Sequence, residues 1–180
     1  LMYATSKPFK LCTFSRVMKE KGIEELFYAV RRLKEENEDF VLDLAGFFED
    51  IYKKQVEELE KLGIAHFYGF QSDPRPFYTE ADCVVLPSYH EGMSNVLLEA
   101  AATGRPVITS NIPGCRESVE NGKSGLLVEV KNKEMLYQAM KKMLHCSREE
   151  REKMGKAGRE KMKREFRKEA VVERTVRSLE

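Results

Sequence analysis

Two glutamates, Glu91 and Glu99, are separated by seven residues within the segment Glu91–Ala100. The segment follows the apolar run Cys83–Pro87 and leads into a second apolar stretch with the length of a helix. One carboxylate therefore lies on a loop at the carboxyl end of a predicted strand, and the other lies in the next helix. The helix N-terminus between them presents backbone N–H groups that favour an anion. Because carboxylates accept hydrogen bonds from sugar hydroxyls, the segment suits a ligand with both a sugar and a phosphate.

Two cations occupy an equivalent place after the first predicted strand. Arg16 ends the run Thr13–Arg16, and Lys21 precedes the first predicted helix. Cleavage of a sugar–phosphate bond builds negative charge on the departing diphosphate, which a metal-free site must meet with fixed cations and N–H donors. A loop Arg or Lys taken alone is usually only solvated. Together with the two glutamates, however, Arg16 and Lys21 indicate a diphosphate site.

The elements that position these residues are predicted from apolar runs, which alternate with segments whose apolar residues have the spacing of a helix. Several runs are apolar throughout, as in parallel strands that are covered on both faces. The predicted strands are Lys10–Ser15, Phe40–Ala45, Ile64–Tyr68, Cys83–Pro87, Pro106–Thr109 and Gly125–Val128. Strand–helix alternation repeated about six times predicts an α/β fold, a doubly wound Rossmann-like parallel sheet with helices on both faces. Such sheets bind ligands at the carboxyl ends of their strands.

The predicted helices follow from apolar stripes and from their end signals. Ile23 to Leu33 forms one stripe and Met135 to Leu144 another; Asp50–Leu62 and Ser94–Thr103 are further helices, and a short one starts near Asp73. The closing segment Ser147–Leu179 has helical composition, with a break expected around Gly155 or Gly158. We therefore divide the chain into a nucleotide-sugar-binding domain, residues 1–146, and a helical extension, residues 147–180.

Composition places limits on the class of protein. The 180 residues are 42% hydrophobic and 34% charged, which is ordinary for an α/β domain. No stretch approaches the roughly 18 apolar residues that span a bilayer, and no signal peptide is evident. The chain begins with Leu1 rather than Met, so we expect a piece cut from a longer polypeptide. These features predict a cytoplasmic location.

The cysteines and histidines give no metal signal. None of the four cysteines forms a CxxC pair, and Cys12 and Cys83 fall within apolar runs, which favours buried thiols over disulfides or metal ligands. The three histidines are scattered, and no Asp-x-Asp occurs. We therefore expect a site without a metal and without a required cofactor.

Charge is distributed unevenly along the chain. Residues 131–180 contain 16 Lys and Arg against 9 Asp and Glu, whereas residues 1–130 contain 15 against 21. A basic tail of this kind either docks on an anionic membrane, here the inner face of the plasma membrane, or is a solvated helix with alternating charges. No aromatic interleaving or recognition motif points to nucleic acid.

The motifs together resemble a known family. The stretch Leu86–Pro106, followed by Ile112–Glu117 and Asn121-Gly122 and preceded by Ser15-Arg16 and Lys21-Gly22, is similar to the C-terminal, donor-binding domain of GT-B-fold glycosyltransferases of family GT4. The match runs from about Phe9 to Val130. It is especially similar to bacterial transferases of capsule, exopolysaccharide and O-antigen assembly.

The resemblance implies a retaining, metal-free transfer of a hexose-type sugar from a nucleotide-sugar, most often a UDP-sugar, to a glycan or lipid-linked acceptor. An N-terminal domain outside this chain would supply the acceptor site, so this chain alone should transfer nothing. By resemblance, Arg16 and Lys21 would bind the diphosphate, Glu99 the ribose and Glu91 the hexose. The backbone from Gly92 through Met93, Ser94 and Asn95 would contact phosphate and sugar, and the base would lie near Gly46 and Tyr68.

Three positions depart from the family pattern. Ser15, Phe48 and Ser94 stand where members often have glycine, which bears on base and sugar selectivity. Other readings are a sugar-nucleotide epimerase or a phosphorylase of the same architecture, although the residue sets that these would need are not evident. A further reading is a non-enzymatic module that senses nucleotide-sugars.

Overall fold

The computed structural model describes residues 8–166. Strands and helices alternate through it, since each short apolar run is followed by an amphipathic segment. The strands are β1 (Phe9–Phe14), β2 (Phe40–Ala45), β3 (Ala65–Phe67), β4 (Cys83–Leu86), β5 (Val107–Ser110) and β6 (Gly125–Val128). The helices are α1 (Ile23–Glu35), α2 (Lys53–Lys61), α3 (Arg75–Glu80), α4 (Asn95–Ala102), α5 (Lys133–His145) and α6 (Arg148–Glu165). The six strands lie within one residue of their predicted ends.

The strands form one parallel sheet in the order β3-β2-β1-β4-β5-β6. Successive strands add outward from β1 to β3, and the chain then crosses to β4 on the other side of β1. The order therefore reverses between β1 and β4, where doubly wound sheets leave a crevice for ligands. The predicted fold class is confirmed.

Two apolar layers cover the sheet, because successive side chains of a strand point to opposite faces. In β1, Leu11 packs into the cluster beneath α1, α2 and α5, whereas Cys12 packs into the cluster beneath α3 and α4. Cys12, Cys83 and Cys115 are buried thiols, and burial raises the pKa of Cys115 to about 11. These thiols contribute to packing.

The helix ends follow the predicted signals with one shift. Ser94 caps α4 by accepting a hydrogen bond from the Leu97 N–H at 3.4 Å. Ser147 begins α6 with a capping box that it shares with Glu150. The helix predicted from Asp50 instead begins with a 3-10 turn, Asp50–Tyr52, before α2.

The predicted break in the closing helix is wrong. α6 runs without interruption through Gly155 and Gly158, and both glycines are buried. A Cβ atom built on Gly158 would lie 3.7 Å from the Cβ of Ala101 in α4, so the glycine lies at a helix–helix contact. Tertiary packing here overrides low helix propensity. Residues 167–180, which include the rest of the predicted helix, lie outside the described residues.

A buried carboxylate joins α6 to the sheet. Asp82, which precedes β4, accepts a hydrogen bond from the Lys10 N–H at 2.9 Å and lies 3.9 Å from Nη2 of Arg151 in α6. Asp82 is only 2% exposed, and burial raises its pKa. The helix predicted as an extension therefore packs on the sheet domain. Among residues 8–166, no helix is long and apolar enough to cross a membrane.

Candidate functional site

A cleft of about 660 Å³ opens at the carboxyl edge of the sheet, at the reversal of strand order. Its walls are the loops after β1, β2 and β4, the residues beside Phe70, and the N-terminus of α4. Seven of the residues predicted from the sequence line this cleft. They are Arg16, Lys21, Gly46, Glu91, Met93, Ser94 and Asn95.

Lys21 and Glu91 form an ion pair inside the cleft. Lys21 lies in the turn before α1, and its Nζ is 2.5 Å from Oε1 of Glu91. Ser88, which follows β4, donates its hydroxyl to the same oxygen at 2.8 Å. The Glu91 side chain is only 14% exposed, so its carboxylate is held by these two partners. Ser88 was not among the predicted site residues, although its position directly after a predicted buried strand could have indicated it.

Arg16 presents the second cation. It is exposed on the loop after β1, and within residues 8–166 no carboxylate lies at ion-pair distance from its guanidinium. Across the cleft, α4 begins with Asn95 and Val96, whose N–H groups have no acceptor inside the helix. A guanidinium and a helix N-terminus that line one cleft form a suitable environment for an anion.

Gly114 fixes the loop that carries Glu91. Its φ is +87°, and a Cβ atom built on it would lie 1.5 Å from the carbonyl oxygen of Gly92. Its own carbonyl accepts a hydrogen bond from the Ser94 N–H at 3.0 Å. Gly92 itself supports this contact and does not line the cleft. The loops after β4 and β5 thus meet backbone to backbone.

Gly46 performs a similar task between β1 and β2. Its φ is +145°, and a Cβ atom there would lie 2.0 Å from the carbonyl oxygen of Ser15. Its N–H donates to the carbonyl of Gly69 at 2.8 Å, which ties the loop after β3 to the same place. The floor of the cleft is therefore built from closely spaced backbone.

An aromatic pair borders the cleft beside Gly46. The rings of Phe47 and Phe70 stack with centroids 5.0 Å apart and an angle of 12° between their planes. Both side chains are more than half exposed. Neither residue was predicted, because an apolar side chain in a loop gives no signal in a single sequence. A stacked, exposed pair offers a flat apolar surface.

Tyr68 lies away from this cleft. Its hydroxyl donates to Oδ1 of Asp43 at 3.4 Å, and its ring contacts Phe77 edge to face at 5.1 Å. His66 approaches the same oxygen, with Nδ1 3.6 Å away, and its ring lies 6.4 Å from the ring of Tyr68. Asp43 is 7% exposed in β2, and burial raises the pKa of its carboxyl.

Glu99 also lies outside the cleft of Lys21 and Glu91. It faces a neighbouring cleft of about 570 Å³ between α3 and α4, where it accepts a hydrogen bond from the Tyr78 hydroxyl at 3.3 Å. Burial and the nearby Glu99 carboxylate raise the pKa of Tyr78. The two clefts are adjacent, because Gln71 lines the first and Ser72 the second. The structure therefore places the two glutamates in different clefts.

The charged and polar groups at this edge would suit an anion with hydroxyl groups. Residues 8–166 contain no group of three or more His, Cys, Asp and Glu side chains arranged to hold a metal ion. The charged groups that line the main cleft are Arg16, Glu20, Lys21 and Glu91.

Comparison with known families decides the class. Residues 4–161 match the family described as glycosyl transferases group 1. The chain belongs to this family. The predicted resemblance to GT-B glycosyltransferases is thereby confirmed.

Individual proteins are similar to most of the chain. A capsular polysaccharide biosynthesis glycosyltransferase, CapM of Staphylococcus aureus, is 28% identical over 163 residues, which cover 88% of this chain and 42% of CapM. A sucrose-phosphate synthase from Thermosynechococcus elongatus superposes with a TM-score of 0.79 at 26% identity, over 95% of this chain and 45% of the synthase. This chain thus spans less than half the length of each.

A third relative in structure carries a ligand. The Anabaena protein Alr3699/HepE, solved in complex with UDP, superposes with a TM-score of 0.79 at 21% identity, over 95% of this chain and 48% of that protein. At this identity the similarity concerns the fold.

Proposed function

We propose that this chain is the donor-binding half of a retaining glycosyltransferase that uses a nucleotide-sugar, specifically a UDP-sugar, without a metal ion. The observation that carries the proposal is the single cleft at the strand-order reversal that joins Arg16, Lys21, Glu91 and the N-terminus of α4. Membership of the group 1 family and the UDP complex of a structural neighbour support it.

The residues have distinct parts in this proposal. The Arg16 guanidinium and the first N–H groups of α4 bind the diphosphate and stabilise the charge that builds on it as the glycosidic bond breaks. Glu91 accepts hydrogen bonds from the hexose, which lies beside Met93 and Ser94. The base lies between Gly46 and the loop that begins at Tyr68. Glu99 accepts from the ribose hydroxyls where the two clefts adjoin.

The acceptor belongs to the part of the protein beyond this chain. We propose a glycan or a lipid-linked saccharide, bound by an N-terminal domain, by analogy with the capsular polysaccharide relative. The exposed cations of α6, such as Lys153, Lys156 and Arg159, would favour contact with an anionic membrane at the cytoplasmic face. This chain alone would bind donor and transfer nothing.

Titration calorimetry tests the donor site directly. UDP, GDP, ADP and their glucose conjugates are titrated into the chain, with and without EDTA. We expect the UDP compounds to bind best and EDTA to have no effect. Arg16→Ala should weaken UDP about 10- to 100-fold, the scale of one charge-assisted hydrogen bond. Glu99→Ala should weaken it by a smaller factor.

Arg31→Ala provides the matched control, because Arg31 lies on α1 away from the cleft and pairs with Glu58 at 3.8 Å. Its UDP affinity should equal that of the wild type. UDP binding that is unchanged in Arg16→Ala would refute the assigned diphosphate site. An unchanged affinity in Glu99→Ala would refute the assignment of the ribose to Glu99 and would leave the diphosphate site unaffected.

A further inference from the structure

The ion pair between Lys21 and Glu91 occupies the place that the donor is proposed to take. Lys21 Nζ and Glu91 Oε1 are 2.5 Å apart, and the two side chains are 25% and 14% exposed. The charge of the Lys21 ammonium is therefore already balanced by a carboxylate when the cleft contains no donor. An arriving diphosphate must share this cation with a carboxylate that the protein supplies.

The charge balance of the cleft makes this competition matter. Its lining contains two cations, Arg16 and Lys21, and two carboxylates, Glu20 and Glu91. Formal charge is thus zero, although a nucleoside diphosphate carries two or more negative charges. Glu20 is exposed, so water and salt screen it. Glu91 is mostly buried, and its repulsion of the diphosphate is screened much less.

Hydrogen bonds at and near Glu91 hold its carboxylate in this position. Ser88 holds its Oε1 at 2.8 Å, and the neighbouring Tyr89 is anchored to α1. The Tyr89 hydroxyl donates to both carboxylate oxygens of Glu25, at 2.7 and 2.8 Å, and its N–H donates to the Glu20 carbonyl at 2.8 Å. The carboxylate is therefore fixed beside the place where the diphosphate binds.

We infer that Glu91 discriminates between a nucleotide-sugar and the bare nucleoside diphosphate by competing for Lys21. This inference rests on the proposed donor site. A bound sugar offers hydroxyl donors to Glu91, which compensate the carboxylate when Lys21 turns to the diphosphate. UDP alone offers no such donors, so the carboxylate repels it. The same side chain that favours the donor thus disfavours the diphosphate product.

The inference has a consequence for the order of events. While the sugar is attached, its hydroxyls and the diphosphate satisfy Glu91 and Lys21 respectively. Once the sugar has left with the acceptor, Glu91 loses its hydrogen-bond donors and again attracts Lys21. The re-formed ion pair then promotes release of the diphosphate. Ser88 acts as a positioning residue, because it keeps the carboxylate in place.

Glu91→Gln tests the inference, because it removes the charge and keeps the shape. Calorimetry is performed with UDP, inorganic pyrophosphate, UDP-glucose and UDP-N-acetylglucosamine. We expect the variant to bind UDP and pyrophosphate on the order of ten-fold more tightly, the scale of one charge removed at short range in a partly buried site. Binding of the sugar conjugates should gain less or weaken, so the preference for conjugate over UDP should fall. The gain should shrink as KCl approaches about 0.5 M.

Glu20→Gln is the matched control, since it removes the same charge from an exposed carboxylate of the same cleft. It should change UDP affinity less than about two-fold. Ser88→Ala should move UDP affinity in the direction of Glu91→Gln, by a smaller factor.

The outcomes separate this inference from the proposed function. If the wild type binds UDP and Glu91→Gln does not bind it more tightly, the inference is wrong and the donor site stands. An equal gain in Glu20→Gln also overturns it, because bulk charge would then suffice. If the wild type binds no nucleotide, no nucleotide-sugar and no pyrophosphate, both the inference and the proposed function are overturned.

Discussion

Gly114, beside the main cleft, and Gly158, in α6, lie in opposite surroundings. A methyl group on Gly114 would meet the Gly92 carbonyl oxygen at 1.5 Å, and its φ of +87° disfavours any other residue. On Gly158 the nearest atom, the Cβ of Ser124, would lie 3.5 Å away, which is an ordinary contact distance. The loops of the site thus depend on backbone that approaches backbone, whereas the helix contact leaves room for a side chain.

The largest expected effect comes from Gly114→Ala. The clash must displace the Gly92 carbonyl, and the positive φ adds to the cost, so we expect a loss of about 2–4 kcal/mol in the free energy of unfolding. UDP binding should weaken as well, since the Glu91 loop moves. Urea denaturation and calorimetry measure the two effects.

Gly122→Ala separates the two causes of that loss. Gly122 has a φ of +78°, but a Cβ atom built on it has no neighbour within 4 Å. It should therefore show only the conformational cost, about 1 kcal/mol, with normal UDP binding. If both variants lose equal stability, close approach at Gly114 does not matter and the contrast with α6 fails.

The buried carboxyl of Asp43 in β2 tests how tightly packed surroundings respond to a charge, at a position far from both glycines in the sequence. Burial raises the pKa of the Asp43 carboxyl above its ordinary value, although Lys10, His66 and Tyr68 partly counteract this. When the pKa of an acid is raised in the folded state, the free energy of unfolding decreases as pH rises through that pKa. The stability of Asp43→Asn relative to the wild type should therefore be lowest below the ordinary pKa of 3.8 and should rise by about 1 kcal/mol towards pH 7.5, the scale for a buried polar group.

Chemical denaturation at several pH values measures this difference. Asp39→Asn is the control, because Asp39 is exposed in the turn before β2. Its stability should follow the wild type at every pH. A difference between Asp43→Asn and the wild type that stays constant with pH would show that the carboxylate is not the cause.

The smallest effect is expected from Gly158→Ala. The helical backbone and the space around Gly158 accept a methyl group, so the variant should gain about 0.5–1 kcal/mol through helix propensity and a less flexible unfolded chain. Thermal denaturation checks this gain. Ala157→Gly, the reverse change at the preceding position of α6, should lose a similar amount. A destabilised Gly158→Ala would mean that α4 and α6 require the closer approach.

Gly158 also shows where sequence reasoning stops. The strands were predictable because each is a short apolar run, and the place of Arg16, Lys21 and Glu91 followed from strand ends meeting at one edge. The break near Gly158 was predicted from local propensity, which the packing of α6 on α4 overrides. A single sequence contains no information about that partner surface.

The candidate site also contains residues whose place could be predicted from the sequence and residues whose place could not. Glu99 was grouped with Glu91 by sequence spacing, but spacing does not give the direction in which a helical side chain points, and Glu99 faces the cleft beside α3. Ser88 and Gly114 act on Glu91 through contacts that form only after the loops assemble. Phe47 and Phe70 come from different loops, so their stacking had no signal at all.

Asp82 has a consequence for how the chain folds during synthesis. Its buried carboxylate contacts the start of β1 through the Lys10 N–H, and α6 through Arg151. The ribosome delivers Arg151 last of these three, nearly seventy residues after Asp82. Until then the buried carboxylate has Lys10 and Arg105 to offset the cost of burial, but it lacks the third cation, Arg151. The nascent domain therefore gains the last of these stabilising charges only once α6 has emerged.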